Sequence, residues 1–316
     1  VKGDKNMEFY IGWSHSDAVF CDYFPQCPVL ISAIPDNRGG VKRYKNKPSK
    51  LILDCGSVFY VKQKIRPPLK DVFDIQLSIL EDCEKEANVQ MVHFDEPLLN
   101  KSSLSERYMA IERTLFNAYE YFNIFHKCNL PKYVQPMGVI QGYDQASIEF
   151  SAYELIKMGY TKFGIGSLLF KHQTHQIEMI RSAADVVGSS NLHVFGVTGI
   201  PQLSAMVDIG VNSFDSTRPT MAAAFFQVFY SRPFRTFFLS ESRAKPTSPR
   251  LENPLNCECP VCENDAKQIL VPSPREYMKL RSIHNYYHLL RTFNDILENK
   301  KRRSEHVVSN VLRTGN

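Results

Sequence analysis

The chain has 316 residues, a formal net charge of +5, and 43% hydrophobic and 22% charged residues. This balance excludes an intrinsically disordered or collagen-like chain, and the lack of an apolar run of bilayer-spanning length predicts no membrane partner. Residues 1–6, ahead of Met7, read as a leader. Beyond them, short β-rich runs fall at 9–12, 29–32, 51–54, 89–94, 134–140, 163–165, 193–197 and 211–214. Apolar residues recur at helical spacing in the gaps, at 71–87, 103–125, 146–158 and 175–187. Eight strands alternating with helices predict an α/β fold, a (β/α)8 TIM-like barrel, although no long helix separates the first two strands.

The barrel is expected to fill residues 1–230 and to carry an appendage, 231–316, packed on it. In that appendage a helix-like run at 221–229 gives way to a connector containing Ser, Pro and Arg, and a long helical pattern fills 274–300 before a fraying basic tail. Between connector and helix lies Cys257-Glu258-Cys259-Pro260-Val261-Cys262, followed by His284. A Cys-x-Cys-x-x-Cys hook sets three soft thiolates around one ion, and a nearby helix supplies the fourth ligand, which is the chemistry of structural zinc. His284 takes that fourth place, with His288, one helical turn later, as its rival. Cys21, Cys27, Cys55, Cys83 and Cys128 follow no disulfide framework, and no secretory signal is recognisable, so a reducing, cytoplasmic setting is expected.

In a barrel of this kind active sites form at the C-terminal ends of the strands. Polar residues end several predicted strands: Asp54 after 51–53, Asp95 and Glu96 after 92–94, Gln141 and Gly142 after 137–140, and Asp215 after 212–214. Singly, each is ordinary N-cap or turn chemistry. Together on one rim, carboxylates can divide into a nucleophile, a general acid/base and a ligand reader, because different surroundings push their pKa values apart. Gly164, Gly166, Gly196 and Gly199 end neighbouring strands, where absent side chains let a flat ligand approach the backbone. Clustered cations, Arg38, Lys42, Arg43, Lys45, Lys47 and Lys50 in one stretch and Arg232, Arg235, Arg243, Lys245 and Arg250 in another, suggest a polyanion partner. The first stretch joins the second and third strands, so it is expected to rise from the rim of Asp54. Phe234, Arg235 and Phe237 are candidates for stacking on unpaired bases, with core packing as the ordinary alternative.

Taken in order, Leu53-Asp54-Cys55-Gly56, Phe94-Asp95-Glu96, Gly138-Val139-Ile140-Gln141-Gly142, Ile165-Gly166-Ser167-Leu168, Phe214-Asp215-Ser216-Thr217-Arg218-Pro219-Thr220, the cysteine hook and Ile283-His284-Asn285 resemble the tRNA-guanine transglycosylase family. The resemblance spans roughly residues 50–290. It implies a zinc-bearing (β/α)8 barrel that replaces guanine in a nucleic acid by a 7-deazaguanine free base. Asp215 would be the nucleophile at C1′ and Asp54 the general acid/base. Asp95, Gln141 and the Gly166 backbone would read the base edge, the amide and backbone donating to O6, with Ser167 and Arg218 also binding substrate. Cys257, Cys259, Cys262 and His284 would hold zinc.

The sequence also departs from that pattern. The tRNA enzymes usually read Asp-Ser-Gly-Gly-Phe-Gln where this chain has Asp54-Cys55-Gly56-Ser57-Val58-Phe59, and Gly-Gly where it has Gly166-Ser167; the opening 9–15 also differs. These departures resemble the DNA-modifying, DpdA-type branch of bacteria and phages. DNA is therefore the expected polymer, with tRNA the alternative; a non-catalytic positioning subunit is disfavoured because Asp54, Asp95 and Asp215 are all present. A helper protein or a homodimer is left open.

Overall fold

The β-branched and aromatic runs resolve, in the computed structural model, into eight parallel strands: β1 (Glu8–Trp13), β2 (Val29–Ser32), β3 (Lys50–Asp54), β4 (Asn88–Val92), β5 (Val134–Ile140), β6 (Lys162–Ile165), β7 (Leu192–Val194) and β8 (Ser213–Ser216). Each pairs with the next, and β8 returns to β1 to close the barrel, with Tyr10 opposite Asp215. The structure describes residues 7–83, 87–98, 103–168 and 171–314, so the leader expected at 1–6 lies outside the described residues. The chain divides into two compact units, Val1–Ser216 and Thr217–Asn316.

In the first unit Tyr10, Leu30, Ile52, Val92, Met137 and Val139 form a buried cluster with Phe195 packed against it. That fills a barrel interior with side chains and leaves polar chemistry to the strand ends. Helices α1 (Ser57–Lys62) and α2 (Leu69–Leu80) follow β3; α3 (Leu104–Lys127), α4 (Gln145–Met158), α5 (Gln173–Val187) and α6 (Ile200–Ile209) follow β4 to β7 in turn. Ser103 and Glu106 form a reciprocal capping box at α3, and Asp144 and Ser147 form one at α4.

Two buried polar side chains brace the strand ends that carry the site. Gln76 of α2 donates from Nε2 to the Leu53 and Val92 carbonyls, both at 2.8 Å, and accepts at Oε1 from the Tyr121 hydroxyl at 2.7 Å. It therefore fixes the residue immediately before Asp54. His93 accepts the Val139 N–H at Nε2, 2.7 Å away, which leaves the proton on Nδ1 to be donated to the Phe94 carbonyl at 3.1 Å. Burial lowers its pKa to about 4, so the ring is a neutral brace.

No α-helix separates β1 from β2 or β2 from β3; short 3-10 turns at Phe20–Asp22, Pro35–Asn37 and Gly40–Arg43 take their place. This corrects the position expected for the later part of the first basic stretch; Arg38 follows the end of β2, and Arg43 donates to the His15 carbonyl just after β1. The segment 38–50 runs back from the end of β2 to the start of β3, and most of its cations are engaged along the way. Lys42 pairs with Asp82 at 3.4 Å, Lys47 donates to the Asp82 carbonyl, and Lys50 pairs with Glu8 at the start of β1. Glu8 and Lys50 open their strands, so this end of the stretch lies opposite the rim of Asp54.

The second unit contains α7 (Arg218–Ala224), a hairpin of β9 (Gln227–Tyr230) and β10 (Arg235–Phe238), α8 (Cys262–Asp265) and α9 (Arg275–Thr314). The helix expected over 221–229 stops at Ala224, because Phe226 takes a left-handed φ of 59° and the β-rich Gln227–Tyr230 run then pairs with β10. Phe234 packs on Phe229 and Phe237 on Tyr230, with ring centroids 5.2 and 5.7 Å apart; both phenylalanines stay half-buried, and Arg235 between them is exposed. The last helix runs past its expected end at residue 300, since no Gly or Pro interrupts the sequence before Gly315. Among the described residues no helix is long and apolar enough to cross a membrane.

Candidate active site

Three carboxylates lie at or near the C-terminal ends of strands in the first barrel unit, and the structure gives each a different environment. Asp54, the last residue of β3, accepts at Oδ2 from the Ser32 hydroxyl and the Gly56 N–H, both at 3.0 Å. Burial and the nearby Asp95 charge, with a smaller push from Asp215, raise its pKa to about 6 against those two hydrogen bonds. A carboxyl poised there can both give and take a proton near neutral pH.

Asp95 is buried, with a donor on each oxygen: Cys55 donates from Sγ to Oδ1 at 3.1 Å, and Gln141 donates from Nε2 to Oδ2. Burial raises its pKa, opposed by hydrogen bonds from Ser57, Cys55 and Gln141. The neighbouring Glu96 faces a different environment, held by Arg66 at 2.6 Å and Arg113 at 2.5 Å. Adjacent acids of similar sequence appearance thus serve separate ends.

Gln141 is completely buried, and with Nε2 committed to Asp95 its Oε1 has no protein hydrogen-bond partner. An orphaned buried acceptor is costly unless a ligand satisfies it. The amide thus offers an acceptor at Oε1, and the second N–H of Nε2 remains for the donation to O6 expected of it. Gly166 lies against this amide; a Cβ there would stand 2.8 Å from Nε2. Its N–H donates to the Ile140 carbonyl at 3.2 Å, so the donor expected of Gly166 is already engaged. Ser167 adopts a left-handed φ of 56°, the conformation that a second glycine would accept without strain, and its Oγ accepts the Leu98 N–H at 2.7 Å. That bond ties the loop after β4 to the loop after β6.

Asp215 of β8 is buried, and both of its hydrogen bonds fall on Oδ1: Gly196 N–H at 2.9 Å and His193 Nε2 at 3.3 Å. Gly196 can aim its N–H there because its φ is +70°. The sequence reading gave His193 no role. In the barrel register it lies opposite Ser213, which shares a strand face with Asp215. Only the register reveals that relation.

Arg218 opens α7 in the second unit, where its guanidinium lies 5.3 Å from the rings of both Phe229 and Phe234 and burial lowers its pKa. The same unit gathers Cys257, Cys259, Cys262 and His284, whose ligand atoms all lie within 4.8 Å of one another. His284 Nδ1 is 3.6, 3.4 and 3.4 Å from the three sulfurs in turn. Tetrahedral zinc with its usual bond lengths would set sulfur and nitrogen roughly 3.6 Å apart, so the residues fit the ion. His284 donates from Nε2 to the Phe229 carbonyl at 2.8 Å, which leaves the Nδ1 lone pair facing the sulfurs. His288 behaves differently. Its Nδ1 accepts the Ser231 N–H at 3.0 Å, so Nε2 carries the proton and points it at Cys257 Sγ, 3.2 Å away. Geometry therefore makes His284 the fourth ligand and His288 a donor to a ligand sulfur.

The fold and these residues define a (β/α)8 protein with buried carboxylates near its strand ends and, in its second unit, a Cys3His cluster that could hold a metal ion. Residues 74–306, well over half of the chain, match the family described as queuine tRNA-ribosyltransferase, and the chain belongs to that family of nucleic-acid guanine transglycosylases. The matched stretch contains Asp95, Gln141, Asp215 and all four metal-site residues, whereas Asp54 precedes it. No individual curated protein matches the chain.

Two predictions follow from the charges and the metal site. Because the folded-state pKa of Asp54 lies near 6, above its ordinary 3.8, folding favours the protonated form. The ionised carboxylate costs stability above about pH 6 and nothing below about pH 4. Asp54→Asn should raise Tm by a few degrees at pH 8, with the gain shrinking as melts are repeated toward pH 5; a gain independent of pH contradicts the assigned environment. For the metal, serine at Cys257, Cys259 or Cys262, or His284→Ala, should abolish binding, while His288→Ala should retain one ion per chain with affinity weakened about 10- to 100-fold. Metal analysis after chelator competition checks this, and full occupancy in His284→Ala with loss in His288→Ala would reverse the assignment.

Proposed function

We propose that this protein is a DNA-guanine transglycosylase that exchanges guanine in DNA for a 7-deazaguanine base through a covalent Asp215–nucleoside intermediate. The observation that carries this reading is the division of labour at the barrel mouth. The Asp54 pKa is raised to about 6, Asp95 and Gln141 form a buried recognition pair, and among the described residues the donors to the Asp215 side chain fall on one oxygen.

In the first half-reaction Asp215 Oδ2 attacks C1′ as the C1′–N9 bond breaks, and the bonding pair leaves on guanine. Protonated Asp54 neutralises the departing base. In the second half, ionised Asp54 takes the N9 proton of the incoming base, whose N9 attacks C1′ and returns the C1′–O pair to Asp215. Protons and electrons balance without an energy source, and two displacements retain the configuration at C1′.

Asp95 accepts from the N1–H and exocyclic amine of the base, while the free Oε1 of Gln141 accepts a further base N–H. Gly166 gives the ring room, Ser167 fixes the loop beside it, and Arg218 serves the polymer. Zinc at the Cys3His centre is structural: Cys257, Cys259, Cys262 and His284 hold it, and no step of the exchange passes through it. The preference for DNA is supported by Cys55, Ser57 and Ser167, which stand where the tRNA enzymes usually carry Ser, Gly and Gly.

Incubation of the protein with single-stranded DNA, duplex DNA or tRNA and a labelled 7-deazaguanine tests this directly. Label should enter DNA, faster in single strands because the target nucleotide must leave its stack. Asp215→Ala should lower exchange by at least about a thousandfold with metal content unchanged. Label in tRNA alone overturns the polymer assignment, and near-normal exchange by Asp215→Ala overturns the mechanism.

A further inference from the structure

A hydrogen-bonded chain behind Asp215 runs through residues that the exchange scheme does not use. Asn212 donates from Nδ2 to Ser213 Oγ at 3.3 Å, and Ser213 Oγ stands 2.9 Å from His193 Nδ1. The carboxylate oxygen on the far side of the ring accepts, so Nδ1 is left to accept the Ser213 hydroxyl proton. The imidazole proton then resides on Nε2, which faces Asp215 Oδ1 at 3.3 Å. Ser213 and His193 are both about 1% exposed, so water does not compete for these bonds. The ring is held edge-on by Phe195 and Tyr10, with centroids 4.6 and 5.7 Å away.

We infer that His193 is a positioning residue for the nucleophile: with the Gly196 N–H it forms a two-donor cradle on Asp215 Oδ1, and Ser213 sets its tautomer. The inference rests on Asp215 being the nucleophile. Holding Oδ1 turns Oδ2 toward C1′. Once Oδ2 is bonded to C1′, Oδ1 becomes the carbonyl oxygen of the ester. In the second half-reaction the C1′–Oδ2 pair returns to the carboxylate, and the same two donors meet the charge as it reappears. Fixed donors in a dry site at the point where charge develops act on the transition state more than on substrate binding. His193 touches neither base nor sugar in this scheme, so its removal should leave recognition by Asp95 and Gln141 intact.

The test compares steady-state exchange with single-turnover formation and decay of the covalent complex in wild type, His193→Phe, His193→Gln and Ser213→Ala, with Asp215→Ala as the control. Phenylalanine keeps the ring contacts and removes the donor. His193→Phe should lower kcat about 100-fold with KM for the free base nearly unchanged, and should slow both formation and decay of the complex. Glutamine, which can donate an amide N–H to Oδ1, should recover about tenfold of that loss, and Ser213→Ala should lower kcat severalfold without altering KM. A purely structural role would instead lower Tm and raise KM with no rescue by glutamine. A folded His193→Phe with kcat within threefold of wild type, or a loss confined to KM, overturns the inference. Should His193→Phe not fold, Ser213→Ala and His193→Gln decide by the same kcat and KM criteria. If Asp215→Ala itself remains active, the proposed function fails; if Asp215→Ala is inactive and folded His193→Phe is fully active, only the role of His193 fails.

Discussion

Closure of the barrel by the parallel pairing of β1 with β8 is the constraint on which the site depends. Asp54 and Asp215 are separated by most of the first unit in sequence, and each merely stands in the last two residues of a short strand. The Tyr10–Asp215 register brings β8 back beside β1, and the β1–β2–β3 ladder carries that rim on to Asp54. A one-residue slip at closure would turn Asp215 to the opposite strand face and exchange its place with Phe214, which is stacked on Phe9 at 4.8 Å. Apolar packing on one side of β8 thus specifies the direction of the catalytic candidate on the other.

Once on a common rim, the carboxylates are differentiated by what surrounds them. Glu96 is neutralised by two arginines, whereas Asp95 is buried with neutral donors, Cys55 and Gln141. The charge that remains on Asp95 helps to raise the Asp54 pKa toward neutrality. Asp215 has its donors on one oxygen only, which suits a group that must present the other to a substrate. Electrostatic tuning here is a consequence of strand order and burial.

The strands and the Cys3His centre were legible in the sequence because each has a local signature: alternating β-rich runs between turns, and thiolates at fixed spacing. The role of His193 was not, since a lone histidine in an apolar strand resembles an ordinary core residue until its register with Ser213 is known. The basic stretch 38–50 misled for the opposite reason. Charge clustering is visible in sequence, but the path of a connector is not, and Lys42, Lys47 and Lys50 are drawn to Asp82 and Glu8. In α9, Arg281, His284, Asn285 and His288 recur at helical spacing, and all four are buried. Arg281 donates to the Ala223, Ile269 and Val271 carbonyls, and Asn285 bonds the Phe229 N–H and the Gln227 carbonyl, so hydrogen bonds compensate their burial. Such compensation is a tertiary property that no residue pattern encodes.

The central claim is a covalent bond between Asp215 and C1′ of the target nucleotide. Its most direct measurement is peptide mass spectrometry of protein denatured during turnover on single-stranded DNA. The account predicts a nucleotide adduct, lacking guanine, on the peptide that contains Asp215. Attachment to the Asp54 or Asp95 peptide, or efficient exchange with no protein-bound nucleotide at any time point, would contradict it.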